Sequence, residues 1–399
     1  MSPSADAPTQ AARTLAGAPF RPCCEGARTA HYPEMPLRCT RQILPLLAVL
    51  AILSAPALAA ASGVNIVRLS MEPAANGIAT TRIAIEGNAP SGCVPKLERV
   101  ALDGADVSVE LSAPATGCRP ARPAAFHILA DPAATIGLRA LPAGVYRVRV
   151  YARAGSNLHL AAFTLVDTSA PTLAPEPESG FWWTQADADN TASAGTGMSI
   201  EVQENQLAAS VLGFSGTGVP TWYFGSATLT GHVASIPLVQ LANGEEWFSA
   251  VGVQPDVQSG PRLEIEFLSP TRAHAYLVRK DEDGNVQARS LALSRSAFAT
   301  GPVGTSWVGR WVLVPEDGSG TRLYDFGAPS SKDTESFRLV DAANDAALDC
   351  RLVAGTTQAD VCTLSAGSGI VADFDQVGYD RFVGHGANGG PVQLLRVPR

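Results

Sequence analysis

Short runs in which apolar and polar residues alternate, each ended by Gly, Asp, Asn, Ser or Pro, recur along most of this chain. Leu263, Ile265 and Phe267 alternate with Glu264 and Glu266, and Val107, Val109 and Leu111 alternate with Ser108 and Glu110. Val145, Arg147 and Arg149 stand against Tyr146, Val148 and Val150 in the same way. Successive side chains of a strand point to opposite faces, so a period of two predicts strands with one face buried. Further strands are expected at 79–86, 157–166, 275–279, 286–293, 309–314, 321–326 and 337–340. Asp103-Gly104 reads as the centre of a type I′ hairpin, and 281–285 (DEDGN) as another hairpin turn. Only 341–348 has the spacing of a helical turn. The fold class is therefore all-β.

Residues 169–179 are rich in proline and poor in apolar side chains, which marks a semi-extended linker. Ahead of it, several short strands without helical periodicity predict an immunoglobulin-like β-sandwich over 62–168. Behind it, 180–399 reads as one long β-meander. A meander of that length is expected to close as a barrel, because open edges invite aggregation. A division into two halves near residue 300 is the finer expectation.

The segment 35–61 resembles a cleaved secretory signal. Arg38 and Arg41 precede an apolar run of eleven residues at 43–53, and Ala57-Leu58-Ala59 supplies small residues for cleavage. That run is too short to span a bilayer, and Pro56 ends it. Residues 1–34 are then a spurious or disordered upstream extension. Without 1–61 the chain keeps 24 basic and 34 acidic residues, a charge of −10 (29 − 5 against 37 − 3). An anionic chain argues against nucleic acid as a partner. The 26 Arg against three Lys, with abundant Ala and Pro, read as the codon bias of a GC-rich bacterium. No later apolar run reaches membrane-spanning length, so a periplasmic or extracellular address is expected with no transmembrane span after cleavage. The seven cysteines become four: Cys93, Cys118, Cys350 and Cys362. In an oxidising compartment these read as two disulfides, and sequence proximity favours Cys93–Cys118 and Cys350–Cys362. If the hairpin at 349–364 turns about Thr356, the second pair lies in cross-strand register.

The most distinctive stretch is 180–244. Its Gly180, Trp182, Trp183, Gly195, Gly197, Leu207, Gly218, Pro220, Thr221, Trp222 and Tyr223 resemble a pattern of uncharacterised exported proteobacterial proteins, Gly-aromatic-Trp-Trp, Gly-x-Gly, Gly-x-Pro-Thr-Trp-Tyr. One departure is Phe214-Ser215-Gly216-Thr217, where an aromatic-Asp pair often precedes the turn. The resemblance implies a β-fold and an envelope address and carries no catalytic residue. Gly180-x-Trp182 and Gly309-x-Trp311 also look like the opening strand of lipocalin- and avidin-type barrels.

The aromatic residues offer the main chemistry. Trp182, Trp183, Trp222, Tyr223 and Trp247 could form an exposed platform for a sugar ring, or they could be core. Strand alternation lets one member of Trp182/Trp183 and one of Trp222/Tyr223 point outward. Asp187, Asp189 and Asn190 begin like a calcium loop, but Ala192 and Met198 stand where Gly and Glu are needed, so no metal site is expected. No nucleophile elbow, zinc-protease helix or phosphate loop occurs, and no cofactor is implied. The five histidines after the leader are scattered. Glu264 and Glu266 share a strand face and read as solvated. The leading function is a non-enzymatic exported binding or structural module, with an envelope glycan or protein as partner. A calycin-like carrier and a hydrolase with a site built from distant residues are the alternatives.

Overall fold

The computed structural model describes residues 64–72, 82–112, 122–154, 156–169, 175–184, 196–214, 218–245, 248, 252–318, 320–331 and 333–398. The leader-like segment, the calcium-loop residues Asp187, Asp189 and Asn190, Gly195, Cys118 and Trp247 lie outside the described residues. Among the described residues no helix is long and apolar enough to cross a membrane.

The chain is nearly all β. Its first strands are β1 (Asn65–Met71), β2 (Ile83–Ala89), β3 (Lys96–Asp103), β4 (Asp106–Ser112), β5 (Ala124–Ala130), β6 (Val145–Ala154) and β7 (Asn157–Asp167). They form two sheets, β1-β2-β5 and β3-β4-β6-β7, with β4 and β6 parallel and the remaining pairs antiparallel. Ile83 and Ile85 from one sheet meet Val107, Val109, Val148 and Val150 from the other in a single core. Full burial of each such side chain contributes about 1.5–3 kcal/mol. The β3–β4 turn differs by one residue from expectation. Asp103 pairs with Asp106, so Gly104 and Ala105 are the central residues, and only Gly104 has a positive φ (56°). Glycine at the first central position is the II′ arrangement rather than I′. A helical turn, α1 (Pro132–Thr135), follows β5; Asp131 caps it by accepting from the Ala134 N–H at 3.1 Å. Its signal, Asp followed by Pro at the first helical position, is visible in the sequence but is outweighed by the alternation around it.

The next strands are β8 (Gly180–Thr184), β9 (Gly197–Gln203), β10 (Gln206–Phe214), β11 (Pro220–Thr228), β12 (Val233–Ala242), β13 (Asp256–Ser269), β14 (Arg272–Lys280) and β15 (Val286–Arg295). Each pairs antiparallel with the next, and β15 returns to β8 through Leu293↔Thr184, Ser294↔Trp183 and Arg295↔Trp182. The result is a closed eight-stranded barrel. That size is narrow enough for side chains to fill. Trp182, Met198, Leu207, Ile236, Leu263 and Phe267 in its interior have no exposed surface.

A second meander contains β16 (Gly309–Pro315), β17 (Arg322–Phe326), β18 (Ser330–Ser331), β19 (Ser336–Asp341), β20 (Ala346–Leu352), β21 (Ala359–Ala366), β22 (Gly369–Val377), β23 (Arg381–Gly386) and β24 (Pro391–Arg396). It is a curled nine-stranded sheet in the order β17-β16-β24-β23-β22-β21-β20-β19-β18. The curl brings β17 against the end of β19 that β18 does not cover, where Gly327 N–H donates to the Val340 carbonyl at 3.0 Å and Asp325 N–H to the Asp341 carboxylate at 2.9 Å. Cys350 and Cys362 pair across β20–β21 and form a disulfide, as the hairpin register predicts. Cys93 is also disulfide-bonded. Residues 341–348 are not a helical turn. The Asp341 side chain accepts from the N–H groups of Ala343 and Asn344, which fixes a tight turn, and the chain re-enters the sheet at Ala346.

The barrel and the curled sheet open in the same way. Gly180 and Gly309 both take positive φ (144° and 123°), and the Trp two residues on is fully buried in each case. Trp182 Nε1 donates to the carbonyl of Glu178 at 3.3 Å, and Trp311 Nε1 to that of Trp307 at 2.8 Å, each four residues back. An arginine on the final strand then donates to the carbonyl just before the glycine: Arg295 to Ser179 at 2.9 Å, Arg396 to Val308 at 3.1 Å. First and last strands are thus tied together by one device used twice.

Candidate functional site

The aromatic residues divide by strand parity. Trp182 points into the barrel and packs edge-on against Phe267 with ring centroids 5.7 Å apart. Trp183, one residue on, points outward and is 41% exposed. On β11, Tyr223 packs against the interior cluster, and Gly260 on β13 leaves it room. Trp222 points outward and is 46% exposed, stacked on Phe224 with centroids 5.7 Å apart and planes at 29°. Of the residues singled out from the sequence, Trp183 and Trp222 are on the outer face and Trp182 and Tyr223 are on the inner one. Trp307 and Trp311 are core of the curled sheet.

Register brings the outward residues into one row. Trp183 pairs with Gly197, Gly197 with Leu212, and Leu212 with Trp222. Three strand spacings separate the two tryptophans, about 14 Å. Gly197 is essential to this surface. A Cβ there would sit 2.7 Å from the Trp183 ring and 2.9 Å from the Phe181 ring, so both rings lie down over the backbone of β9. Phe181 and Trp183 are themselves in contact, with centroids 5.7 Å apart. Leu212 and Phe214 extend the row on β10, and Phe214 is 60% exposed. One residue-pair down the strands the face becomes polar, with Ser199 opposite Ser210 and Glu201 opposite Ala208.

The partners Phe181, Leu212 and Phe214 were not singled out from the sequence. Their signal was present: Leu212 and Phe214 occupy alternate positions of β10, on the same face as Ala208 and Ser210. Only the barrel register shows that this face adjoins Trp183 and Trp222.

Glu264, by contrast, does not face solvent, while Glu266 two residues on is half-buried. Strand β7 lies over the outside of β12, β13 and β15, and Glu264 is 1% exposed beneath it. Ser235 Oγ at 2.8 Å, Arg262 Nε at 2.6 Å, Thr164 Oγ1 at 3.3 Å and Leu165 N–H at 3.4 Å all donate to its carboxylate. Burial pushes its pKa up, against the opposing pull of Arg262 and those hydrogen bonds. Glu264 is therefore an anchor between sandwich and barrel. Sequence alternation gives a strand two faces but does not say that a distant strand covers the polar one. At the end of β7, Asp167 accepts from both the ring Nδ1 (2.8 Å) and the backbone N–H (2.7 Å) of His232. That histidine ties the β11–β12 turn to the sandwich.

No protein-family model matches this chain, and no characterised protein matches its sequence.

Proposed function

We propose that this chain is an exported, non-enzymatic carbohydrate-binding module that engages glycans on the outer face of β8–β11. The row of Trp183, Leu212 and Trp222, with two rings laid flat over Gly197, carries the reading. A pyranose has a flat apolar face rimmed by hydroxyls, which suits a flat ring bordered by serines. A tryptophan in that role offers a large apolar area with little side-chain freedom to lose on binding. The interior of the barrel supports the outer face by contrast. A cavity that held a ligand would leave accessible surface on its walls, and Trp182, Ile236, Leu263 and Phe267 have none. Export is supported by the signal-like segment and by the Cys350–Cys362 disulfide, which suits an oxidising compartment.

The test is depletion of the protein from solution by a panel of insoluble polysaccharides, with Trp183→Ala and Trp222→Ala beside the wild type. The expected result is binding to at least one glycan that falls at least about tenfold in each variant, while urea unfolding shows both folded. Retained binding in both variants, or no binding to any glycan, overturns the reading.

A further inference from the structure

A cleft of about 590 Å³ lies between the closed barrel and the curled sheet. Phe181 lines it, and Phe181 also touches Trp183, so the cleft is continuous with the aromatic row. Its volume falls within the range of small-molecule sites. Its apolar lining includes Phe181, Ala297, Phe298 and Val308, and Phe298 is 81% exposed.

The charge of the cleft runs against that of the whole chain, whose formal net charge is −8. Three arginines line it, Arg295, Arg310 and Arg396, against one acidic side chain, Asp380. Two of the three are committed to the fold. Arg295 pairs with Glu178 at 3.2 Å and with Asp380 at 3.3 Å, and Arg396 donates to the Tyr379 and Val308 carbonyls, both at 3.1 Å. Arg310 is different. It is exposed on β16, and its guanidinium has no hydrogen-bond or ion-pair partner among the described residues. A guanidinium fork beside an apolar wall matches a carboxylate carried on a ring, because it can donate two parallel hydrogen bonds to it.

We infer that this cleft takes the carboxylate of an acidic glycan, a uronate, with Arg310 as the group that receives it. The inference rests on the platform reading above: sugar units on Trp183 and Trp222 would pass Phe181 and deliver a charged unit to the cleft. Binding involves no covalent step. Selectivity for acid over neutral sugar would then reside in Arg310, and affinity common to both in the tryptophans.

The probe is a galacturonate oligomer compared with the same oligomer as its methyl ester, each titrated into the full chain by calorimetry at low salt. The wild type is expected to bind the acid about tenfold more tightly than the ester. In Arg310→Gln that ratio should fall to about one with the ester affinity unchanged, and Arg310→Lys should retain an intermediate preference. Trp222→Ala should weaken acid and ester alike. Equal wild-type affinity for acid and ester, or an acid preference that survives Arg310→Gln, overturns the cleft and leaves the platform standing. Binding that ignores Trp222→Ala overturns the platform instead. If neither oligomer binds, the uronate assignment falls, and the polysaccharide panel alone decides the platform.

Discussion

Glu178 joins the barrel to the curled sheet, and its removal has a predictable cost. Its carboxylate accepts from the backbone N–H groups of Tyr379 (2.9 Å), Asp380 (2.8 Å) and Arg381 (3.3 Å), and Arg295 completes the set at 3.2 Å. Glu178→Ala leaves those donors facing a void. Asp380 lies in an exposed segment where water can replace the lost acceptor, whereas Tyr379 is buried. A buried donor without a partner costs about 1–3 kcal/mol, and breaking a buried ion pair costs about 3–5. Arg295 keeps Asp380 and the Ser179 carbonyl, so we expect the lower end, about 3 kcal/mol. Gly378 gives an independent handle on the same contact, since a Cβ there would lie 2.1 Å from Glu178 Oε1. Gly378→Ala should therefore displace the carboxylate. In the double variant that clash disappears, although the approach to the Arg381 carbonyl at 2.7 Å remains. Urea unfolding of wild type, both single variants and the double should show a coupling of about 1–2 kcal/mol, with the double variant less destabilised than the sum. Additive losses, or a Glu178→Ala cost under about 1 kcal/mol, would refute the clamp.

Other expectations concern pH and the disulfide. Asp106 is held down to about 2 from an ordinary 3.8, chiefly by the side-chain hydrogen bonds of Arg147, with Arg149 adding to it. A lowered carboxylate stabilises the fold above its ordinary pKa and loses that contribution as pH falls toward 2. Asp106→Asn should cost at most about 1 kcal/mol at neutral pH, given the partial exposure of the pair, and nothing near pH 2; thermal melts across that range check it. Glu264 titrates in the opposite sense. Burial raises its pKa above the ordinary 4.5, so its contribution falls as pH rises through the raised value. Relative to Glu264→Gln, the wild type should lose stability as pH rises above the ordinary 4.5 in urea titrations, and a constant difference would contradict this. The Cys350–Cys362 bond closes a loop of sequence separation 12. Replacing both cysteines with alanine should lower unfolding stability by about 2–4 kcal/mol, measured in urea.

Much of the fold could be read from local pattern. Leu263, Ile265 and Phe267 do line the barrel, Val148 and Val150 the sandwich, and Cys350 and Cys362 face each other across a hairpin, because each depends on a period of two or on one turn. Features set by remote chain could not be read. Closure of β15 onto β8, the covering of Glu264 by β7 and the lining-up of Trp183 with Trp222 all join segments far apart in sequence. Parity told that one member of each aromatic pair faces outward, but not which, since strand phase is set by the core each strand meets. The turn at 341–348 fell to a different cause: hydrogen bonds from the Ala343 and Asn344 N–H groups to the Asp341 carboxylate outcompeted helical spacing.

The central claim is that two tryptophans form an outward platform for glycan, and acrylamide quenching of intrinsic fluorescence tests it most directly. The chain has six tryptophans, of which Trp182, Trp307 and Trp311 are buried and Trp183 and Trp222 exposed. In a Trp247→Phe background, because Trp247 lies outside the described residues, saturation with a glycan identified by depletion should shrink the readily quenched component, and adding Trp183→Phe and Trp222→Phe should largely remove it before any glycan is present. A quenched component that survives in the triple variant, or that persists unchanged at saturation with glycan, would contradict the platform.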